Sequence, residues 1–79
     1  MKTKYTVITG ASSGIGRAVT LKFSERNKNL ILIARRKNLL EDLKSEILKK
    51  NPNLDVLVID FDLTDVDKIP ELYSKLKSY

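Results

Sequence analysis

The residues best suited to chemistry lie near the start of the chain, in Thr9-Gly10-Ala11-Ser12-Ser13-Gly14-Ile15-Gly16. A glycine-rich stretch of this kind can hold a pyrophosphate. Gly10 ends an apolar run and permits a tight turn, and Gly14 lets the main chain come close to a phosphate. Gly16 removes a side chain where the following helix must pack against a sheet. The first N–H groups of that helix then point at the anion, helped by the helix dipole. An ordinary strand-to-helix turn would use the same residue types. The loop gains weight from its place: it follows a strand, opens a helix and sits in a βαβ unit of suitable size. The GxxxxGK[ST] spacing of a P-loop cannot be laid over it.

The elements that must position this loop follow from the hydrophobic periods. Tyr5-Thr6-Val7-Ile8-Thr9 is a short β-branched run that suits a strand. Ile15, Ala18, Val19 and Phe23 then form the apolar stripe of an amphipathic helix, which should end near Asn27 in a left-handed cap. Leu30-Ile31-Leu32-Ile33-Ala34 is apolar throughout, as a parallel strand buried on both faces must be. A second helix carries Leu39, Leu40, Leu43 and Ile47 on one side and is stopped by Asn51-Pro52-Asn53. Val56-Leu57-Val58-Ile59 is a third strand, ending in Asp60-Phe61-Asp62. The last segment repeats the helical period at Ile69, Leu72, Tyr73 and Leu76. Pro70 must lie in the first turn, which makes Asp67 a better N-cap than Thr64.

The pattern is βαβαβα, an α/β chain. Strands joined by helix-length connections pair in parallel with right-handed crossovers. The sheet order is therefore 3-2-1, one half of a doubly wound parallel sheet. With that order the first two helices cover the same face. The other face and the free edge of the first strand are left without covers, although Val7, Ile8, Ile31, Ile33 and Val58 belong to strands that read as buried. The expected consequence is self-association through that face or edge.

Composition narrows the classes further. Seventy-nine residues, 42% of them hydrophobic, make one small domain spanning 1–79 rather than a disordered chain. There is no Cys and no His, so neither disulfide nor a usual metal centre can staple it, and no metal site is expected. The net charge of +5 raises the possibility of nucleic acid, but Lys and Arg are interleaved with Asp and Glu and stacking aromatics are few. A solvated basic surface explains the charge, and no nucleic-acid partner is expected. Lys2 and Lys4 resemble the basic start of a leader, yet Thr9-Gly10 breaks the apolar stretch after them. No apolar run approaches the roughly 18–20 residues of a membrane span. A soluble cytoplasmic protein, without membrane contact, is the expectation.

TGASSGIG resembles the TGxxxGxG cofactor loop of the short-chain dehydrogenase/reductase family, and the likeness extends along nearly the whole chain. It implies the N-terminal half of a Rossmann-type domain in an oxidoreductase that transfers hydride between nicotinamide and a carbonyl or alcohol. Gly10, Ser12, Ser13, Gly14, Ile15 and Gly16 would lie at the pyrophosphate. The family's Asp-Leu pair after the third strand matches Asp62-Leu63, placed at the adenine. Where members that use NAD carry an acidic residue, after the second strand, this chain has Ala34-Arg35-Arg36. The resemblance therefore implies NADP rather than NAD, with Arg35 and Arg36 at the 2′-phosphate. Ser13 departs from members with a basic residue there, so the preference rests mainly on Arg35.

The family's catalytic Tyr-x-x-x-Lys, its preceding Ser and its Asn-Asn-Ala-Gly segment are expected beyond Tyr79, so no catalytic residue is assigned and the chain alone should be catalytically incomplete. Tyr73-Ser74-Lys75-Leu76-Lys77 matches Tyr-x-x-x-Lys literally. It lies on the helix after the adenine-side strand, far from any nicotinamide, and Tyr73 reads as a helix-packing residue. A non-catalytic module that binds or senses NADP, and an interaction module pairing through its sheet, remain as alternatives.

Overall fold

In the computed structural model the described residues are 4–78; Lys2 and Tyr79 lie outside them. The elements run β1 (Thr6–Thr9), α1 (Gly14–Glu25), β2 (Leu30–Ala34), α2 (Lys37–Lys50), β3 (Val56–Asp60), a 3-10 turn (Val66–Lys68) and α3 (Ile69–Lys77). Both strand pairings are parallel, with β2 in the middle. Thr9 pairs with Ile33, and Ala34 with Asp60, so the C-terminal ends of all three strands meet along one edge.

Every residue of β2 is buried. Leu30, Leu32 and Ala34 share a core with Leu40, Leu43 and Ile47 of α2, and Leu21 and Phe23 of α1 pack against it. Ile31 and Ile33 lie in the other core, with Ile59 and with Leu72 of α3. The expected uncovered face is thus corrected at β2 and β3, where α3 covers Ile31 and Ile33. Val58 is half-buried and Ile8 buried, so of Val7, Ile8, Ile31, Ile33 and Val58 only Val7, at 45%, is exposed; Ile15 of α1, 84% exposed, borders the same outer side of β1.

The buried stripe of α1 is also corrected. Ile15, Ala18 and Val19 are exposed; Phe23 packs against the core as expected, together with Leu21, and the buried residues of the helix are Thr20 and Ser24. Burial of these hydroxyls costs little because each is satisfied by the helix itself. Thr20 Oγ1 donates to the Gly16 carbonyl and Ser24 Oγ to the Leu21 carbonyl, both at 2.7 Å. The helix ends as expected at Asn27, with φ 58°. The Asn27 N–H reaches the Ser24 carbonyl and the Lys28 N–H the Phe23 carbonyl, closing a Schellman cap. Asn51, just past α2, donates its side-chain amide to the same Ser24 carbonyl at 3.0 Å, tying the two helix ends together.

In α3, Leu72 is buried and Leu76 half-buried, whereas Tyr73 is 63% exposed with Lys77 Nζ 5.3 Å from its ring centre. Tyr73 is therefore a surface residue, not a packing one. Asp67 does not cap α3: it sits inside the 3-10 turn, the cap position is Lys68, and Pro70 is in the first helical turn.

Candidate functional site

The loop from Gly10 to Ser13 is pinned to the sheet by the Ala11 N–H, which donates to the Ile33 carbonyl at 3.3 Å, while Ala11 itself is fully buried. Gly14 opens α1 with φ +40°, a conformation that costs an L-residue about 1–2 kcal/mol. Gly16 has a different task from the one expected. A Cβ there would stand 2.0 Å from the Gly10 carbonyl oxygen, so glycine is required because at this position the helix meets the turn that precedes it rather than the strands. Ser13 is the N-cap in extended conformation and makes no side-chain cap bond, and the first turn carries no acidic residue. The opening of α1 thus carries neither a side-chain cap bond nor a carboxylate of its own, an arrangement that can receive an anion.

At the C-terminal edge of the sheet lies an open cleft of about 560 Å³ lined by both ends of the predicted site. Gly10, Ser12 and Ser13 form one wall, Arg35 and Arg36 the middle, and Asp62 and Leu63 the far side. Gly14, Ile15 and Gly16 are not on this cleft; they line an adjoining hollow on the outer side of β1, which shares Gly10 and Ser13 with it. The cleft also includes Leu39, Phe61 and Thr64, which sequence reasoning did not assign. The Asp-x-Thr spacing was the signal for Thr64, since Asp side chains commonly bond the backbone two residues on. The sequence places Leu39 only on the apolar side of α2 and Phe61 only at the end of β3.

Ala34 is buried at the end of β2, and the chain emerges at once into two exposed arginines. The Phe61 N–H donates to the Ala34 carbonyl at 2.9 Å, continuing the β2–β3 pairing past β3 and setting Asp62 beside Arg35. The Asp62 carboxyl is held below its ordinary range, first by the Thr64 hydroxyl, then by the Thr64 N–H, with the Arg35 charge adding to both. Arg17, the other basic residue near the loop, is engaged elsewhere, in an ion pair with Glu46 of α2. Neither Tyr73 nor Lys77 reaches the cleft. Among the described residues no helix is long and apolar enough to cross a membrane.

Comparison with known proteins adds an independent line. A family model described as short chain dehydrogenase matches residues 4–79. An uncharacterized oxidoreductase of Mycobacterium tuberculosis is 34% identical over 70 residues, covering 89% of this chain and 28% of that protein. Among solved structures, YwfH, an NADPH-dependent reductase involved in bacilysin biosynthesis, superposes with a TM-score of 0.89 at 30% identity, covering 98% of this chain and 30% of its own. A short-chain dehydrogenase from Sphingobium yanoikuyae in complex with NADPH gives 0.83 at 32% identity, covering 91% and 28%. The chain thus spans less than a third of the length of these relatives.

Proposed function

The chain belongs to the short-chain dehydrogenase family, and we propose that it forms the NADP-holding part of an oxidoreductase acting on a carbonyl or alcohol. The observation that carries this reading is the arrangement of one cleft: a glycine turn, an arginine pair following Ala34 at the end of β2, and an acceptor carboxylate after β3. Gly10, Ser12, Ser13, Gly14, Ile15 and Gly16 would hold the pyrophosphate. Arg35 and Arg36 would take the 2′-phosphate, and Asp62 and Leu63 the adenine. A guanidinium suits a phosphate because its planar fork donates two parallel hydrogen bonds, and a carboxylate in place of Ala34 would repel the same group. When bound, the nicotinamide supplies the hydride; these residues bind and orient. Two similar structures bear NADPH in their names, which agrees with this choice of cofactor. Titration of adenosine 2′,5′-bisphosphate against 5′-AMP tests the reading.

The 79-residue chain should show no turnover with NADP(H) on simple ketones and aldehydes. The ionisable side chains lining the cleft are Arg35, Arg36 and Asp62, and none of them is a proton donor suited to a reacting carbonyl near neutral pH. Tyr73→Phe assayed beside the wild type checks this. Activity that vanishes in the variant would return Tyr73 to the catalytic role denied to it here.

The same chain should self-associate at tens of micromolar through the outer side of β1, where Val7, Val19 and Ile15 are exposed beside an unpaired strand edge. Sedimentation should show dimers or larger species that dissociate when Val7 and Val19 are both replaced by Lys. A monomeric wild type would refute the association.

A further inference from the structure

We infer that Thr64 is a positioning residue for base selectivity: it occupies one oxygen of the Asp62 carboxylate and leaves the other as a bare acceptor for the amino group of adenine. The inference rests on the nucleotide reading above. It adds a residue and a discrimination which that reading does not require.

Both bonds from Thr64 end on the same atom. Its hydroxyl donates to Asp62 Oδ1 at 2.6 Å and its N–H donates to the same oxygen at 2.9 Å. Among the described residues no donor reaches Oδ2. Two donors 0.3 Å apart in length, one of them main chain, fix the rotation of the carboxylate about its terminal bond, a torsion that is otherwise broad. The group is also kept ionised, since both bonds favour the charged form. An ionised carboxylate accepts hydrogen bonds and donates none. A base edge that presents N–H is therefore welcomed, and one that presents a carbonyl oxygen is repelled. Adenine and unsubstituted purine differ at one position, C6, where the first carries an amino group and the second a hydrogen; hypoxanthine differs at two, because its N1 also gains an N–H that a carboxylate can accept. Thr64 borders the cleft, but its hydroxyl is already committed to Asp62, so it acts through that carboxylate.

The test compares adenosine 2′,5′-bisphosphate with purine riboside 2′,5′-bisphosphate, which lacks only the amino group, by calorimetric or fluorescence titration of the folded chain. Wild type should prefer the adenine ligand by about tenfold, the lower end for a charge-assisted bond because the site is open to water. Thr64→Val, which removes the hydroxyl bond and keeps the shape, should reduce that ratio to about twofold to threefold. Thr64→Ser should restore it, and Asp62→Asn, which can turn an amide N–H toward the base, should abolish or invert it. A merely structural Thr64 would lower both affinities together and leave their ratio alone. An unchanged ratio in Thr64→Val overturns the assignment, as does a wild type that prefers the 2′-phosphate yet ignores the base. A folded wild type that binds neither bisphosphate removes the nucleotide reading itself, and this inference with it.

Discussion

Gly16→Ala lowers the stability of the chain by about 2 kcal/mol and weakens its hold on adenosine 2′,5′-bisphosphate about tenfold or more. The new methyl would stand 2.0 Å from the Gly10 carbonyl oxygen, well under the 3.0 Å that real Cβ contacts keep. The atom it strikes is backbone, so turn or helix must move by about 1 Å. Overpacking of this severity costs toward the upper end of about 1–3 kcal/mol, and the better helix propensity of alanine returns at most about 1 kcal/mol. A domain this small has only a few kcal/mol to lose. The turn that moves is the wall of the cleft, so loss of even one charge-assisted bond to the phosphates accounts for the affinity change. Urea unfolding and ligand titration measure the two effects. Gly14→Ala is the control: its methyl meets nothing within 4 Å, and only the φ of +40° is penalised. It should therefore cost stability while disturbing the turn less. Equal unfolding midpoints for wild type and Gly16→Ala would contradict the close approach.

The second large effect concerns the 2′-phosphate. Wild type should bind adenosine 2′,5′-bisphosphate about tenfold to a hundredfold more tightly than 5′-AMP, given about 1.5–3 kcal/mol for a charge-assisted bond. Arg35 and Arg36 are exposed, which draws the value toward the lower limit. The preference should shrink as salt rises. Ala34→Asp combined with Arg35→Ala should erase or invert it, because a carboxylate at the end of β2 repels the phosphate and accepts from a ribose hydroxyl instead. Ala34 is buried, so the double variant must first be shown to fold; Arg35→Ala alone, at an exposed position, removes most of the preference without that risk. Equal affinities in a folded wild type would mean that the arginines are only solvated, and the cofactor would no longer be NADP.

Much of this architecture was legible from the chain. Continuous apolar runs such as Leu30–Ala34 admit few readings besides a doubly buried strand, and connections of helix length force parallel pairing. The loop was legible because glycines carry conformational demands that other residues cannot meet. The inward face of α1 was not. Counting apolar residues favoured Ile15 and Val19, yet Leu21 and Phe23 supply the apolar contact with the core and the buried positions beside them are polar. Thr20 and Ser24 fit because their hydroxyls bond back to the helix, and hydropathy does not register such a bond. The place of α3 was missed for a related reason: Leu72, with Leu76 packed beside it, closes the second core over Ile31 and Ile33, and no period distinguishes a helix that lies over the sheet from one that stands clear. Thr64 was passed over as a weak cap, although its value lies in what it does for Asp62.

The order of the strands has a mechanical side. β1 and β3 share no ladder; each is paired only to β2, and their N-terminal flanks are tied by the Tyr5 hydroxyl, which donates to Asp55. Either outer strand can therefore detach while the remaining pair persists, and amide protons should exchange most slowly in the central strand, where an opening must break both ladders at once. The loop after β1 and the carboxylate after β3 belong to opposite edges of that assembly. A dinucleotide spanning the cleft would join the two edges at their C-terminal ends, where only β2 lies between them, and so would act as a removable cross-link: each increment of binding free energy would also be an increment against fraying there.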